Sequence, residues 1–465
     1  MPSNNRRSFL KLCALSPFIS AYYPGYAISA GSDPDVLYLT EGQELFESHR
    51  ALFNKRLHKR PKIIALCQTE AGVQKAILYA RTNSLKVSVK SGGHCFEGFS
   101  VIDDGLVIDL SNMNDIFSDG ENRLIAKPGV KLAQMYDYCL PKKMLLPAGS
   151  CGGVGLAGLT LGGGYGLFAR EHGLTCDHLT GIRMIDMQGN LIDSSENPEL
   201  LWACRGGGNG NFGIVTELRY ETVNAPSTLY QHRFRCYDLD AQKAVELLSF
   251  WFSTCDNLPN YAFSAFVLNN STLTITVIST AEDEELREIL ALFDNYMDHN
   301  AGLKPDPIEI GVKYYYGRNE PLNFKNISGG FYSGYEDLEQ FSEEIFTKVI
   351  GSQGMIFQIN TLGGEINNPQ KRELAAYPHR ESRYLGEVQT YWNRDSEALP
   401  AMAAMKEIQE LLYSGGIRRH YVNYPDVNIT NHELAYFGES LERVKSLKKL
   451  MDPENVLQSS AGLSV

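Results

Sequence analysis

Two side chains able to bond to an electrophilic carbon, His94 and Cys151, stand 57 positions apart, each at the edge of a glycine-rich run. The first run is Ser91-Gly92-Gly93-His94. The second opens at Cys151 and continues Gly152-Gly153-Val154-Gly155-Leu156-Ala157-Gly158-Leu159-Thr160-Leu161-Gly162-Gly163-Gly164-Tyr165-Gly166. Without a Cβ, the backbone N–H groups of such a run can approach a ligand closely and turn together toward an anion. Neither run has metal or disulfide spacing: C-x-x-C is absent, and the ten histidines do not gather around the nine cysteines. The pattern points to an extended, phosphate-bearing cofactor that the protein also holds through its own reactive side chains. No metal site is expected and no disulfide is assigned.

A third glycine run, Gly208-Asn209-Gly210-Asn211-Phe212-Gly213, satisfies G-x-G-x-x-G. The dinucleotide fingerprint must follow a strand and open a helix. Here the run follows the helix-like Glu199 to Cys204 and enters the β-rich Ile214 to Leu218, so a nicotinamide-type site is not expected.

These loops need elements to position them. Lys62 to Cys67, Lys86 to Lys90 and Leu106 to Leu110 read as strands. Thr69 to Thr82 has helical spacing with Thr69 as N-cap, and Lys131 to Cys139 reads as a helix. From about Leu229 the composition changes. Ala241 to Thr254 and the acidic Ala281 to Tyr296 read as helices; Ser264 to Asn269, Thr272 to Ser279 and Gly354 to Leu362 read as strands. The expected fold is α+β, with a nucleotide-binding unit followed by a largely antiparallel sheet backed by helices.

At 465 residues the chain exceeds one ordinary core, so two domains are expected. A formal charge of −12 argues against nucleic acid and against anionic membrane surfaces, and membrane insertion is not expected. Nothing in the sequence speaks to oligomeric state.

The two attachment runs, together with Gly173 to Leu179, Leu201 to Thr216, Tyr377-Pro378-His379-Arg380, Tyr421-Val422-Asn423-Tyr424 and Asp452 to Val456, resemble the berberine-bridge-enzyme-like FAD-linked oxidases of the vanillyl-alcohol oxidase and p-cresol methylhydroxylase superfamily. The resemblance implies an FAD-binding domain of p-cresol-methylhydroxylase type over residues 57–225 and a substrate domain over 226–417. A C-terminal segment, 418–465, would return to the flavin domain. It implies bicovalent FAD, with His94 on the flavin 8α carbon and Cys151 on C6. Lys90, Ser91, Gly92, Gly93, Val154, Gly155, Gly158, Leu161, Gly162, Gly163, Gly166, Asp177, Gly213, Ile214, Val215 and Asn423 would complete the cofactor site. Val154 matches an oxygen-gating position, which favours O2 as acceptor and hydrogen peroxide as product. The implied substrate is an alcohol carbon of a carbohydrate or secondary metabolite. Rival readings are a dehydrogenase that uses a quinone, and an exported flavoprotein with a binding role.

For the base, the glutamate that berberine-forming relatives place three residues after a Gly-Gly pair maps to Asn367, after Gly363-Gly364, and an amide cannot serve. The resemblance to the family's carbohydrate and alcohol oxidases, which use a tyrosine of the Y-x-N-Y motif, implies Tyr421 as the catalytic residue instead. Ionising a phenol of pKa near 10 at pH 7 costs about 4 kcal/mol, so a nearby cation, for which Arg380 and Arg418 are candidates, or hydrogen bonds are expected to help, and transfer concerted with hydride departure would relax the demand. Tyr165, Gln358, Asn360 and Asn367 are expected to face substrate, Gln358 and Asn360 by sharing one strand face. His178, Cys95, Ser440 and the tail from Gln458 to Gly462 depart from the family pattern. Asn5-Arg6-Arg7-Ser8-Phe9-Leu10-Lys11, a short apolar stretch and Ala27-Ile28-Ser29 resemble a twin-arginine export signal over residues 1–30, so a periplasmic or secreted location is expected.

Overall fold

Along Met355–Thr361 and Tyr384–Trp392 successive side chains meet two different surroundings, and that alternation organises the molecule. Met355, Phe357, Ile359, Tyr384 and Val388 are buried under helices. Gln358, Asn360, Glu387, Gln389 and Tyr391, on the other face, line a cavity. Strand residues of period two always divide in this way, and here both faces are covered. The computed structural model describes residues 33–318, 320–458 and 463; the expected export signal and the residues after Gln458, Leu463 apart, lie outside them.

The two strands belong to an antiparallel eight-stranded sheet that runs His299–Asn300, Thr228–Cys236, Thr272–Ser279, Ala262–Asn269, Met355–Thr361, Tyr384–Trp392, Asn323–Tyr332, with Lys304–Pro307 also on Thr228–Cys236. The helices Ala241–Cys255, Glu284–Asp294, Ser342–Gly351 and Asp395–Ser414 cover one face through Trp251, Phe293, Phe346 and Ile408. The acidic helix is shorter than its periodicity suggests. Asp283 accepts from the Leu286 N–H at 3.0 Å, and this cap starts the helix at Glu284.

Besides a two-stranded ladder of Met144–Leu145 with Val223–Asn224, two smaller sheets lie ahead of this one. The first runs Val36–Leu39, Ile63–Cys67, Leu106–Asp109, Val87–Lys90, with parallel pairing among the last three. Helix Glu70–Thr82 packs on it through Val73, Ala76 and Ile77, capped by Thr69 as its sequence predicts. The second, Ile116–Ser118, Arg123–Ala126, Ile214–Glu221, Leu179–Ile185, Leu191–Asp193, is antiparallel. Its core joins the helix Leu132–Cys139 and the short helix Leu156–Leu161 of the second glycine run. Residues 456–458 lie beside the strand that leads into Ser91-Gly92-Gly93-His94: Val87 N–H donates to Val456 O, and Gln458 N–H to Val87 O. The G-x-G-x-x-G run does sit between a helix, Pro198–Cys204, and a strand, Ile214–Glu221. The fold is α+β, and no helix among the described residues is long and apolar enough to cross a membrane.

Candidate active site

The two attachment loops cross through their glycines. A Cβ on Gly92 would lie 2.4 Å from the Gly155 nitrogen, and one on Gly155 would lie 2.5 Å from Ser91 Oγ, so only glycine permits the crossing. His94 and Cys151 are thereby brought onto the wall of one cavity of 1320 Å³. The His94 ring stacks on Phe53 with centroids 4.0 Å apart. Burial, with Lys131 adding to it, pulls its pKa down to about 4, so the imidazole is neutral and keeps a lone pair at neutral pH. Cys151 opens onto the cavity; burial first, then the nearby Glu387, pushes its thiol pKa up.

The floor of the cavity is the open face of the eight-stranded sheet. Its ionisable group is Glu387, a buried carboxyl that sequence reasoning passed over. Burial raises its pKa to about 7, against hydrogen bonds from Asn326, Gln389 and Tyr424. The Asn326 amide donates at 2.8 Å. Gln358 stands directly across the ladder from Glu387 and donates to Asn360 Oδ1 at 2.9 Å. The Asn360 amide in turn donates to the Tyr165 hydroxyl at 3.2 Å, and Tyr165 and Tyr424 share a short hydroxyl contact. A chain of polar groups thus runs over the sheet to a carboxyl that ionises near neutrality.

The two tyrosines of the Y-x-N-Y motif do different things. The Tyr421 hydroxyl accepts the Gly164 N–H at 2.8 Å and the Asn423 amide at 2.9 Å. Its ring packs edge-on against Phe331 and Tyr377, and burial pushes its pKa up to about 12. The help expected for this phenol comes as those two hydrogen bonds, which favour its ionised form though burial outweighs them, and from neither candidate arginine. Arg380 is held in a buried ion pair with Asp177 at 2.5 Å, and Arg418 lies over the Tyr413 ring. Tyr424, by contrast, presents its hydroxyl to Tyr165 and Glu387.

Two family models match the chain: an FAD binding domain over residues 61–195, and "Berberine and berberine like" over 420–464. The uncharacterised FAD-linked oxidoreductase YgaK of Bacillus subtilis is 29% identical over 423 residues, covering 89% of this chain and 93% of that protein. A carbohydrate oxidase of Microdochium nivale is 27% identical over 449 residues, covering 86% and 87%. The solved structure of Physcomitrella patens BBE-like 1 superposes with a TM-score of 0.84 at 22% identity, covering 91% of this chain and 96% of that one. The chain thus carries an FAD binding domain and is similar to the berberine-bridge-enzyme-like FAD-linked oxidases.

The cavity of this FAD-linked oxidoreductase fits FAD on its own geometry. It is roomy, it is walled by crossing glycine backbones, and it carries a buried amide oxygen, Asn209 Oδ1, with no protein partner. Ser91, Gly92, Gly93, His94, Cys151, Val154, Gly155, Gly158, Leu161, Gly166, Gly213, Val215 and Asn423 all line it, as do Tyr421, Tyr165, Gln358 and Asn360. Six expected residues do not reach the wall, and the packing says why. Lys90 is drawn back to Asp109 at 3.2 Å and to the His49 carbonyl at 2.5 Å. Gly162 lies under Asn423, and Gly163 against Tyr377. Asp177 is bound to Arg380 and to the Leu174 N–H. Ile214 fills the core of the first sheet, and Asn367 donates to the Ser382 carbonyl at 3.2 Å from the turn Gly364–Asn367. The eight cysteines among the described residues are unpaired.

Glu387 had a signal in the sequence: a charged residue in Tyr384–Trp392, a strand apolar enough to be buried on both faces. A buried carboxyl needs a reason.

Proposed function

We propose that the protein is an oxidase carrying FAD bonded to both His94 and Cys151. It would take two hydrogens from an alcohol carbon of a carbohydrate or a hydroxylated secondary metabolite. The carbinol becomes a carbonyl, and O2 takes up both electrons and both protons as hydrogen peroxide. The observation that carries this reading is the convergence of His94, Cys151, Glu387 and Tyr424 on one cavity. The carbohydrate oxidase among the relatives supports the substrate class.

Bound FAD supplies a two-electron acceptor. The protein's residues supply the rest. Glu387, ionised above pH 7, accepts the substrate hydroxyl proton directly or through the Tyr424 hydroxyl, and proton transfer of this kind contributes roughly 10²- to 10⁴-fold. This moves the expected proton acceptor from Tyr421, whose pKa burial pushes up to about 12 despite the two N–H donors on its hydroxyl, to the Glu387–Tyr424 pair. Tyr165, Asn360 and Gln358 orient the neighbouring hydroxyls of the substrate. Val154 lies on the same wall, and the oxygen-gating role that the resemblance implies for it supports O2 as the acceptor. The sequence Asn5 to Lys11 supports export of the folded, flavin-loaded protein, which replacement of Arg6 and Arg7 by lysine would retain in the cytoplasm.

The deciding experiment digests purified protein after acid precipitation. Peptides containing His94 and Cys151 should each carry flavin, and peroxide should form on turnover with a sugar or alcohol. Unmodified peptides from active material would refute the double attachment, and slow reoxidation by air would replace O2 with another acceptor.

A further inference from the structure

Behind the cavity, on the side of strand Asn323–Tyr332 away from it, lies a buried ion cluster that none of the chemistry above uses. Phe324 and Asn326 face the cavity; Lys325, between them, points the other way and is 2% exposed. Its ammonium meets Glu97, and Asp426 at 2.8 Å. Arg56 pairs with the second oxygen of Glu97 at 2.9 Å, and Gln409 donates to the second oxygen of Asp426 at 2.5 Å. Two cations balance two carboxylates, so no net charge is stranded.

The partners come from distant parts of the chain: Glu97 is 228 residues from Lys325, and Asp426 is 101. Glu97 follows His94 by three positions, and Asp426 follows Tyr424 by two. Lys325 is also flanked by Asn326, which holds Glu387. One ammonium therefore joins the loop of the attachment histidine, the segment of the cavity tyrosine and the strand that steadies the carboxyl.

We propose that Lys325 is a positioning residue, which with Glu97 and Asp426 sets the spacing between His94 and the Glu387–Tyr424 pair; the proposal rests on the function given above. A buried ion cluster adds little net stability, because desolvation offsets the attraction; its best-attested use is to select one arrangement over its neighbours. Apolar packing is non-directional and tolerates sliding, whereas charge-assisted hydrogen bonds are short and directed. At a reacting centre, misplacement by an ångström costs on the order of 100-fold. Among the described residues no hydrogen bond or ion pair joins the cluster to the loop that opens at Cys151, so the two flavin bonds should respond differently to its loss.

The test compares Lys325→Met with a triple variant, Lys325→Met, Glu97→Gln and Asp426→Asn, that leaves no carboxylate unpaired and deprives only the part-exposed Arg56 of its ion pair. The triple variant should melt near the parent. Its His94 peptide should lose flavin while the Cys151 peptide keeps it, and kcat should fall roughly tenfold to a hundredfold with KM little changed. Lys325→Met should show the same pattern with a lower melting temperature. A triple variant with the His94 bond intact and kcat unchanged overturns the proposal. So does one that fails to fold or loses both bonds together, since the cluster is then only a stability element. If the parent itself lacks both bonds, the double-attachment reading fails instead, and the split between kcat and KM decides the positioning role.

Discussion

The loops that carry His94 and Cys151 and the sheet that carries Glu387 face each other across one cavity, yet they are made in different ways. The loop wall is largely backbone. Its shape comes from residues that lack a side chain, and its crossing point admits no Cβ on Gly92 or Gly155. The floor is made of side chains, with Gln358, Asn360, Glu387 and Gln389 set by ladder register on strands that only tertiary packing brings together. A wall of backbone should therefore fail through geometry and lose cofactor. A floor of side chains should fail through chemistry and keep it.

The largest effect expected from that contrast is on the floor. Glu387→Gln should lower kcat by roughly 10²- to 10⁴-fold while flavin content stays that of the parent. Anaerobic bleaching of the flavin by substrate measures the loss. In the parent the rate should rise with pH through about 7, where Glu387 ionises; the variant should lack this limb. Unchanged bleaching by the variant would remove Glu387 from the reaction.

Next comes the loop wall. In Gly92→Ala the new Cβ meets backbone rather than a yielding side chain, so the loops must part. Overpacking of this kind costs about 1–3 kcal/mol. Flavin absorbance per chain should drop sharply, with a lower melting temperature. Full flavin content in this variant would erase the distinction between the two walls.

The paired tyrosines sharpen the comparison inside one motif. Tyr424→Phe should reduce kcat by about tenfold or more and leave stability nearly unchanged. Tyr421→Phe strands the Gly164 N–H and the Asn423 amide, which should cost about 1–3 kcal/mol of stability with a smaller change in kcat. Chemical denaturation and steady-state rates on both variants separate the roles. A reversed pattern would restore Tyr421 as the reacting phenol.

The smallest effect is a pH dependence of stability. The folded pKa of Glu387, about 7, exceeds the ordinary 4.5. Between those values the folded state binds more proton than the unfolded, so the stability this group contributes is fully present below pH 4.5 and is lost as pH rises through 7. Melting temperatures of the parent relative to Glu387→Gln should decline across that window; a flat difference would mean that the carboxyl is already ionised in the fold.

Much of the loop wall was legible beforehand. His94, Cys151 and the glycines around them are contiguous in the chain, and local conformational freedom is a property of residue type. The helix at Glu70–Thr82 was legible for the same reason, since its cap and its apolar stripe lie within one window. Asn367 and Arg418 were misplaced because chain spacing and charge do not say which way a turn or a surface arginine faces. Glu387 was missed because its partners Asn326 and Tyr424 lie 61 and 37 positions away in the chain, beyond any local pattern.

By itself the sequence determined the reactive pair, the glycine loops that present it and the α+β alternation, because each depends on neighbours in the chain or on periodicity. Only the tertiary structure decided which carboxyl enters the cavity and which tyrosine of the motif meets it. A pKa near neutrality for Glu387 and the division of labour between Tyr421 and Tyr424 arise from burial and from partners drawn out of remote segments, and burial is a property of the packed molecule rather than of any stretch of it.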